Sequence, residues 1–392
     1  MRVAIVSDYY LDYVGGAQTS MLEQRAALIE AGHDVRMIAS SRSARGEVPG
    51  YGLELRPSWT VPGVILPVIS AGRRTITLLT DYLRRERIDV VHLQTEFGLA
   101  HAAIDAARAL GIRVVHTVHT FYWSSTGLGP TLAAPVMRMG LQYVLRRRIP
   151  VIRLTGRPSD DLLRSITAAT AQRADVVISP SSHQADDLRA AGVTTPLATV
   201  PNPITRAPSP ARELTLDDVA VPRFVWVARC EPEKRPLVFA EAAIQALGRA
   251  KTHFEVDFVG DGAQRAELEQ LTAGHPSLRV HGSIHHDRVI DLIDRGSMVA
   301  LTSYGFDNQP MTIAEGSSRY RGILYCDERL SEGLERSGHL SAPPDAAGLA
   351  DAVVALVDDP ERLLALSRGA RLDSSTFSPA AYVERVLEVY RG

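Results

Sequence analysis

The sequence predicts an α/β protein built from two doubly wound, Rossmann-like domains facing a central cleft. Three observations predict it. Short apolar runs alternate with amphipathic segments from end to end, the pattern of parallel strands joined by covering helices. That rhythm collapses once, in the proline-rich stretch Pro201–Pro210, and restarts at Arg223-Phe-Val-Trp-Val-Ala228. The length of 392 residues also exceeds that of a typical single domain.

In the first half, the runs Arg2–Ser7, Asp34–Ala39, Asp89–Leu93, Arg113–Val118, Asp175–Ser179 and Leu197–Val200 read as buried strands. A helix begins near Gln18, sets Leu22, Ala26 and Ile29 on one face, and stops at Gly32. Further helical patterns run near Thr75–Arg85, Ala100–Leu110 and His183–Ala191. The second half repeats the scheme with strands at Phe254–Val259, Leu278–Val280, Met298–Thr302 and Ile323–Cys326. The expected boundaries are an N-terminal Rossmann-like domain over 1–203 and a C-terminal one over 204–375. A closing helix over 376–392, about Pro379–Tyr390, can pack on the N-terminal domain.

Composition narrows the function classes. Apolar residues make up 45% and charged residues 22%, enough for a full core in each domain. The net charge of −2 offers no global attraction for nucleic acid. Two cysteines, Cys230 and Cys326, cannot build a disulfide framework or a zinc cluster and fit a reducing cytoplasm. Met1–Ser7 is too short an apolar stretch for a signal peptide. The longest apolar candidate, Val61–Ile69, is broken by Pro62, Gly63 and Pro67, so no membrane span is expected.

The most informative segment is Tyr304-Gly-Phe-Asp-Asn-Gln-Pro-Met-Thr-Ile-Ala-Glu315. It follows an apolar strand and opens a helix, with Pro310 suited to the first turn and Asn308 and Gln309 where a cap would sit. The N–H groups of Met311 and Thr312 then point out of a helix N-terminus, a natural seat for phosphate. Asp307 and Glu315 bracket that seat, as acids do when they hold the hydroxyls of ribose and a sugar. An ordinary charged strand–loop–helix has the same letters.

Other candidates have equally plain alternatives. Gly15-Gly16, after the first strand, lets backbone approach a ligand or reach positive φ, or simply makes a turn. It lacks the third glycine and the acidic residue of a dinucleotide fingerprint, which disfavours a dehydrogenase. Arg229 and Lys234 follow the first strand of the second half, where two cations suit a departing diphosphate. The competing reading is a salt bridge to Glu231 or Glu233. Gly260-Asp261-Gly262 reads first as a tight strand-to-helix turn. His116 and His119 end a strand, and without further ligands at sensible spacing no metal site is expected. A histidine there suits a hydrogen bond to sugar or phosphate. Finally, Arg138–Arg157 carries six arginines and no acid among apolar residues. Membrane-surface contact, an anionic soluble acceptor and a solvated face all remain open.

Taken together, these motifs resemble a family 4 retaining glycosyltransferase of the GT-B fold, over essentially the whole chain. The resemblance implies a Gly-Gly loop approaching the donor diphosphate, matched by Gly15 and Gly16, and an Arg and Lys five apart, matched by Arg229 and Lys234. It also implies a Gly-x-Gly turn, matched by Gly260–Gly262. Glu315 corresponds to the family glutamate that holds the donor ribose. Asp307 stands, one methylene shorter, where another glutamate contacts the transferred sugar. His119 matches the second histidine of a His-Thr-x-His strand end that contacts the donor sugar or its phosphate. Asn308, Gln309, Pro310, Met311 and Thr312 complete the donor seat. One departure follows it: Arg319, Tyr320 and Arg321 replace small residues, and the family proline is absent.

The function so implied is transfer of a hexose from a nucleoside-diphosphate sugar, UDP ahead of GDP, to a hydroxyl acceptor, with retention and without a metal or cofactor. A lipid, a saccharide or a small molecule remains open as acceptor. Location is expected in the cytoplasm, with peripheral contact at the inner face of the membrane. The alternatives are a sugar-nucleotide 2-epimerase on the same fold and a non-catalytic sugar-nucleotide-binding protein.

Overall fold

The computed structural model describes residues 1–11, 15–42, 46–48, 50–61, 66–122, 129–205 and 210–392. Residues 62–65 of the interrupted run Val61–Ile69 and 206–209 of the proline-rich stretch lie outside the described residues. Contacts divide the chain into two units, Met1–Pro201 with Tyr382–Gly392, and Asn202–Ala381. No described helix is long and apolar enough to cross a membrane.

The N-terminal unit contains strands β1 (Arg2–Tyr10), β2 (Asp34–Ser40), β3 (Gly46–Val48), β4 (Gly52–Leu55), β5 (Trp59–Val61), β6 (Leu66–Val68), β7 (Val90–Leu93), β8 (Arg113–Thr117), β9 (Val176–Ser179) and β10 (Leu197–Thr199). Its helices are α1 (Gly16–Glu30), α2 (Arg73–Arg85), α3 (Gly98–Leu110), α4 (Gly129–Leu145), α5 (Pro158–Ala171) and α6 (Ser182–Ala190). Eight strands form one sheet in the order β10-β9-β8-β7-β1-β2-β4-β3. Its pairings are parallel except the edge pair β3–β4. Strands β5 and β6 pair separately as an antiparallel hairpin.

Period-2 alternation sends the side chains of β1 to opposite faces. Ala4 and Val6 join the core formed with α2 and α3. Val3 and Ile5 meet Ala27 and Leu28 of α1 together with Tyr382, Val386 and Tyr390.

The C-terminal unit contains β11 (Arg223–Val227), β12 (Glu255–Val259), β13 (Leu278–Gly282), β14 (Met298–Leu301), β15 (Gly322–Tyr325) and β16 (Gly338–Leu340). Its helices are α7 (Pro236–Leu247), α8 (Arg265–Thr272), α9 (His286–Arg295), α10 (Met311–Ser318), α11 (Ala346–Val357) and α12 (Pro360–Asp373). The strands run parallel in the order β13-β12-β11-β14-β15-β16. Phe224 and Trp226 of β11 pack on one side with Phe239, Phe254 and Phe258, while Val225 faces Ile313 and Ala314 of α10 on the other. Helix α13 (Pro379–Arg391) returns the chain to the N-terminal unit from Tyr382 onward.

Both sheets reverse their winding once. In the N-terminal unit β1 lies between β2 and β7, and in the C-terminal unit β11 lies between β12 and β14. The loops leaving such a central strand and its later neighbour diverge, which opens a crevice at their carboxyl ends where doubly wound folds bind ligands.

Candidate active site

In the C-terminal unit the crevice is framed by the segments after β11 and β14. The chain leaves β11 into a short 3-10 turn, Pro232–Lys234, and leaves β14 into the loop that carries Asp307. Because the two strands are neighbours, Lys234 and Asp307 meet: the Lys234 ammonium donates to Asp307 Oδ1. Their side chains are 17% and 10% exposed, so water screens the pair only weakly. The ammonium also lies 5.3 Å from the Phe306 ring centroid.

Thr302, at the end of β14, fixes this arrangement from beneath. Its hydroxyl donates to the Lys234 carbonyl at 2.8 Å and accepts from Trp226 Nε1 at 2.9 Å. A buried threonine closing an apolar strand was the available sequence signal, yet sequence reasoning did not single it out. Arg229 lies further out, and its guanidinium pairs with Glu233 at 2.8 Å with more than half its side chain exposed. The salt bridge weighed against a phosphate role is therefore formed, and an anion would have to compete for this cation.

Helix α10 starts at Met311, so Pro310 is its N-cap residue and not part of its first turn. The cap has extended backbone angles and supplies no side-chain hydrogen bond. The N–H groups of Met311 and Thr312 thus begin the helix with the positive end of its dipole. Thr312 Oγ1 reaches back to the Val227 carbonyl at 3.3 Å, which docks the helix start on the end of β11. Gln309 also does something other than cap: its Oε1 accepts from the Asn202 N–H at 2.7 Å. Asn308 is half-buried in the loop before it. Glu315 lies one helical turn inside, 12% exposed, with His286 Nδ1 4.0 Å from its carboxylate.

Gly260 and Gly262 follow β12 with φ of +141° and +155°. A Cβ on Gly260 would sit 1.7 Å from the Ala228 carbonyl oxygen, and one on Gly262 2.7 Å from that of Cys230. Backbone crossing backbone requires both glycines. This turn shapes the loop that carries Arg229.

The departure at Arg319-Tyr-Arg321 lies at the amino end of β15, between the end of α10 and the start of that strand. Arg319 is 2% exposed and grips Asp294 through Nε at 2.7 Å and Nη2 at 2.8 Å. Arg321, 1% exposed, donates to the carbonyls of Gly296, Asp294, Arg212 and Arg319 at 2.6–2.8 Å. Burial pulls its guanidinium down to about 10. These arginines substitute hydrogen-bonded packing for the small residues expected there, at the amino ends of the strands, whereas Lys234 follows the carboxyl end of β11.

In the N-terminal unit, Gly15 is the N-cap of α1 and Gly16 its first residue. Gly15 has an extended φ of −160° and no side-chain cap bond, so the glycines adopt no left-handed conformation here. Among the described residues nothing lies within 4 Å of a Cβ built on Gly16. His119 lies two residues beyond β8, half-buried. Its Nε2 is 2.5 Å from Gln94 Oε1, Gln94 Nε2 donates to Gln24 Oε1 at 2.9 Å, and the Tyr382 hydroxyl donates to the same oxygen at 3.0 Å. With its Oε1 turned to the histidine, Gln94 can only accept, so His119 carries its proton on Nε2 and presents Nδ1 as an acceptor.

Burial pulls His119 down to about 4 and the neighbouring His92 and His116 to about 3. His92 is spanned by the hydroxyls of Tyr390 and Thr117, each at 2.7 Å. Among the described residues no group of three or more His, Cys, Asp or Glu stands together as a metal site.

Two family models match most of the chain. Residues 14–207 match the family model Glycosyltransferase Family 4, and residues 221–359 match Glycosyl transferases group 1. Over 129 residues the chain is 30% identical to the alpha-monoglucosyldiacylglycerol synthase of Acholeplasma laidlawii, covering 32% of this chain and 31% of that protein. Over 124 residues it is 36% identical to the GDP-mannose-dependent alpha-mannosyltransferase of Corynebacterium glutamicum, covering 31% and 29%. The matched region thus spans about a third of these curated relatives. Among solved structures, Anabaena HepE in complex with UDP superposes with a TM-score of 0.68 at 14% identity, with both chains fully covered. A glycosyltransferase from Rickettsia africae gives 0.66 at 14% identity, covering 100% of this chain and 97% of that one. At these identities the likeness is one of fold, the GT-B class of two Rossmann-like domains.

Proposed function

Because the chain belongs to glycosyltransferase family 4, we propose that it transfers a hexose from a nucleoside-diphosphate sugar to a hydroxyl acceptor, with retention of anomeric configuration. The observation that carries this reading is the meeting of Lys234 and Asp307 at the switch point of the C-terminal sheet, beside the uncapped start of α10.

Breaking the bond between sugar and diphosphate loads negative charge on the leaving group. Stabilisation counts only where it grows toward the transition state. Lys234, a cation held by Asp307 in a largely buried position, supplies it with little reorganisation, aided by the Met311 and Thr312 N–H groups. Arg229 contributes once the anion displaces Glu233. Glu315 holds the ribose hydroxyls and Asp307 a hydroxyl of the transferred sugar. Asn308, Gln309 and Pro310 shape the loop that presents these groups, and Gly260 holds the neighbouring turn. The same reading assigns Gly15 and Gly16 to the diphosphate and the His119 Nδ1 acceptor to a sugar hydroxyl. The donor is consumed as substrate, and the reading assigns no further cofactor and no metal.

UDP-sugars are taken first as donors, in keeping with the UDP bound by HepE. The mannosyltransferase relative, named for GDP-mannose, makes GDP-sugars the second choice. A membrane lipid is the preferred acceptor, since the A. laidlawii relative is named for glucosyldiacylglycerol. On this reading the chain works in the cytoplasm at the inner face of the membrane. The test is incubation with UDP- and GDP-hexoses and a diacylglycerol acceptor, following free nucleoside diphosphate and glycolipid. Accumulation of the C2-epimeric sugar without glycolipid would replace transfer by epimerisation. Donor-induced thermal stabilisation with no turnover would leave a binding protein.

A further inference from the structure

Helix α4 is apolar on two faces. Ala134 and Leu145 are buried, and Leu145 with the half-buried Met137 and Leu141 covers α5 at Leu162 and Ile166. The opposite face exposes Leu132, Val136, Met139 and Tyr143, which are 65–78% accessible. Their spacing of four, three and four residues aligns them in one narrow stripe. A contiguous apolar stripe on a surface helix calls for an apolar partner.

The C-terminal end of the stripe runs into a cavity of about 390 Å³ lined by Arg146, Arg147, Arg148, Arg173 and His101. Arg147 and Arg173 share the carboxylate of Asp105, at 2.8 and 2.5 Å. Arg146 and Arg148 have no ion pair among the described residues; Arg146 instead lies over the Tyr143 ring, 4.1 Å from its centroid. Burial pulls Arg173 down to about 10, so it stays charged at neutral pH, while His101 is held at about 3 and is neutral. Four arginines thus line the cavity with no carboxylate among its lining residues, and Asp105 engages only two of them.

We propose that the exposed face of α4 and this arginine pocket form one docking site for an anionic phospholipid bilayer. The Leu132–Tyr143 stripe enters the acyl boundary and the pocket takes a head-group phosphate. Guanidinium forks match phosphate oxygens, and arginines beside an apolar stripe keep their charge at the head-group level while the stripe goes deeper. A second copy of the chain is the poorer occupant, because stripe-to-stripe contact about a two-fold axis would bring like-charged arginine clusters into the same interface. The inference rests on the lipid-acceptor reading only for its biological setting. Vesicle binding is measured without donor sugar, so its failure leaves the transfer reading standing, and the reverse also holds.

The experiment is co-sedimentation of the full chain with phosphatidylcholine vesicles prepared with and without phosphatidylglycerol. Arg146→Gln with Arg148→Gln, and Val136→Ser with Met139→Ser, alter exposed positions, and unchanged thermal melts establish that the fold is kept. The wild type is expected to bind the anionic vesicles, and less tightly as salt rises. The double arginine variant should partition about 30-fold less, roughly fivefold for each surface cation. The serine variant should lose binding to anionic vesicles despite its intact arginines. The proposal is overturned if the wild type ignores anionic vesicles at low salt, or if the double arginine variant binds as the wild type does. It is equally overturned if glycerol 1-phosphate stabilises the chain while vesicles do not bind. A concentration-dependent dimer that Val136→Ser with Met139→Ser abolishes, in a chain that binds no vesicles, would assign the stripe to a second copy instead.

Discussion

Lys234 and Asp307 are 73 residues apart in the chain and form a hydrogen-bonded ion pair at the carboxyl ends of neighbouring strands. The cation assigned to the leaving diphosphate is therefore held, before any donor arrives, by the acid assigned to the sugar. The pair keeps both groups in place. A diphosphate oxygen and a sugar hydroxyl can then replace each partner for the other without leaving a buried charge alone.

Thr302 positions this pair through the Lys234 carbonyl. Thr302→Val keeps the shape but removes a buried donor and the acceptor used by Trp226. We expect a loss of about 1–3 kcal/mol in urea unfolding, together with a raised KM for the donor. Stability and KM equal to wild type would show that Thr302 does not position the turn.

Arg321→Met tests the packing role of the residues after α10. The variant leaves the carbonyls of Asp294 and Gly296 without their guanidinium donor. We expect destabilisation of about 3 kcal/mol and, in the fraction that remains folded, an unchanged KM for donor. A change in KM without loss of stability would relocate Arg321 to the site.

Acid should weaken the N-terminal unit. His92, His101 and His116 are held at about 3 and His119 at about 4, against an ordinary value of 6.5. Their folded values are depressed, so below pH 6.5 the unfolded chain takes up protons that the folded chain refuses. Stability is full above pH 6.5 and falls as pH drops through about 4 toward 3. Urea midpoints at pH 7.5 and pH 5 check this, and a midpoint that rises at pH 5 would contradict it.

The Gln94–Gln24–Tyr382 chain sets the proton of His119. Nitrogen-15 spectra should show a neutral ring protonated on Nε2 at pH 7. Gln94→Glu should raise the pKa of His119 by placing a carboxylate at 2.5 Å. A ring protonated on Nδ1 would reverse the hydrogen-bonding sense assigned to it.

Much of the fold was legible because buried parallel strands leave apolar runs that length alone distinguishes. Arg2–Ser7 and Phe254–Val259 are such runs, found as β1 (Arg2–Tyr10) and β12 (Glu255–Val259), and helices stop at recognisable residues such as Gly111, in the left-handed conformation after α3. Strands β3 to β6 were not legible. Each has three or four residues, too few to show a period, and they lie at the sheet edge or in a separate hairpin.

Helix α4 escaped for the opposite reason: it is apolar on both faces and contains Pro135, so it has no helical period to read. At the site, residue types and order were visible, but proximity was not. Lys234 meets Asp307 only because the sheet places β14 beside β11 and not beside β13, its predecessor in the chain. Gln309, read as a cap, is instead engaged by the Asn202 N–H, a contact that no local pattern announces.

The measurement that bears most directly on the account is donor turnover by Lys234→Ala, with UDP-hexose and a diacylglycerol acceptor under saturating conditions. Loss of this charge at the leaving diphosphate predicts a fall in kcat of about 10²–10³-fold, in a protein whose melting temperature with UDP confirms an intact donor site. Turnover by Lys234→Ala within about twofold of the wild type, well short of that fall, would contradict the assignment of this crevice to sugar transfer.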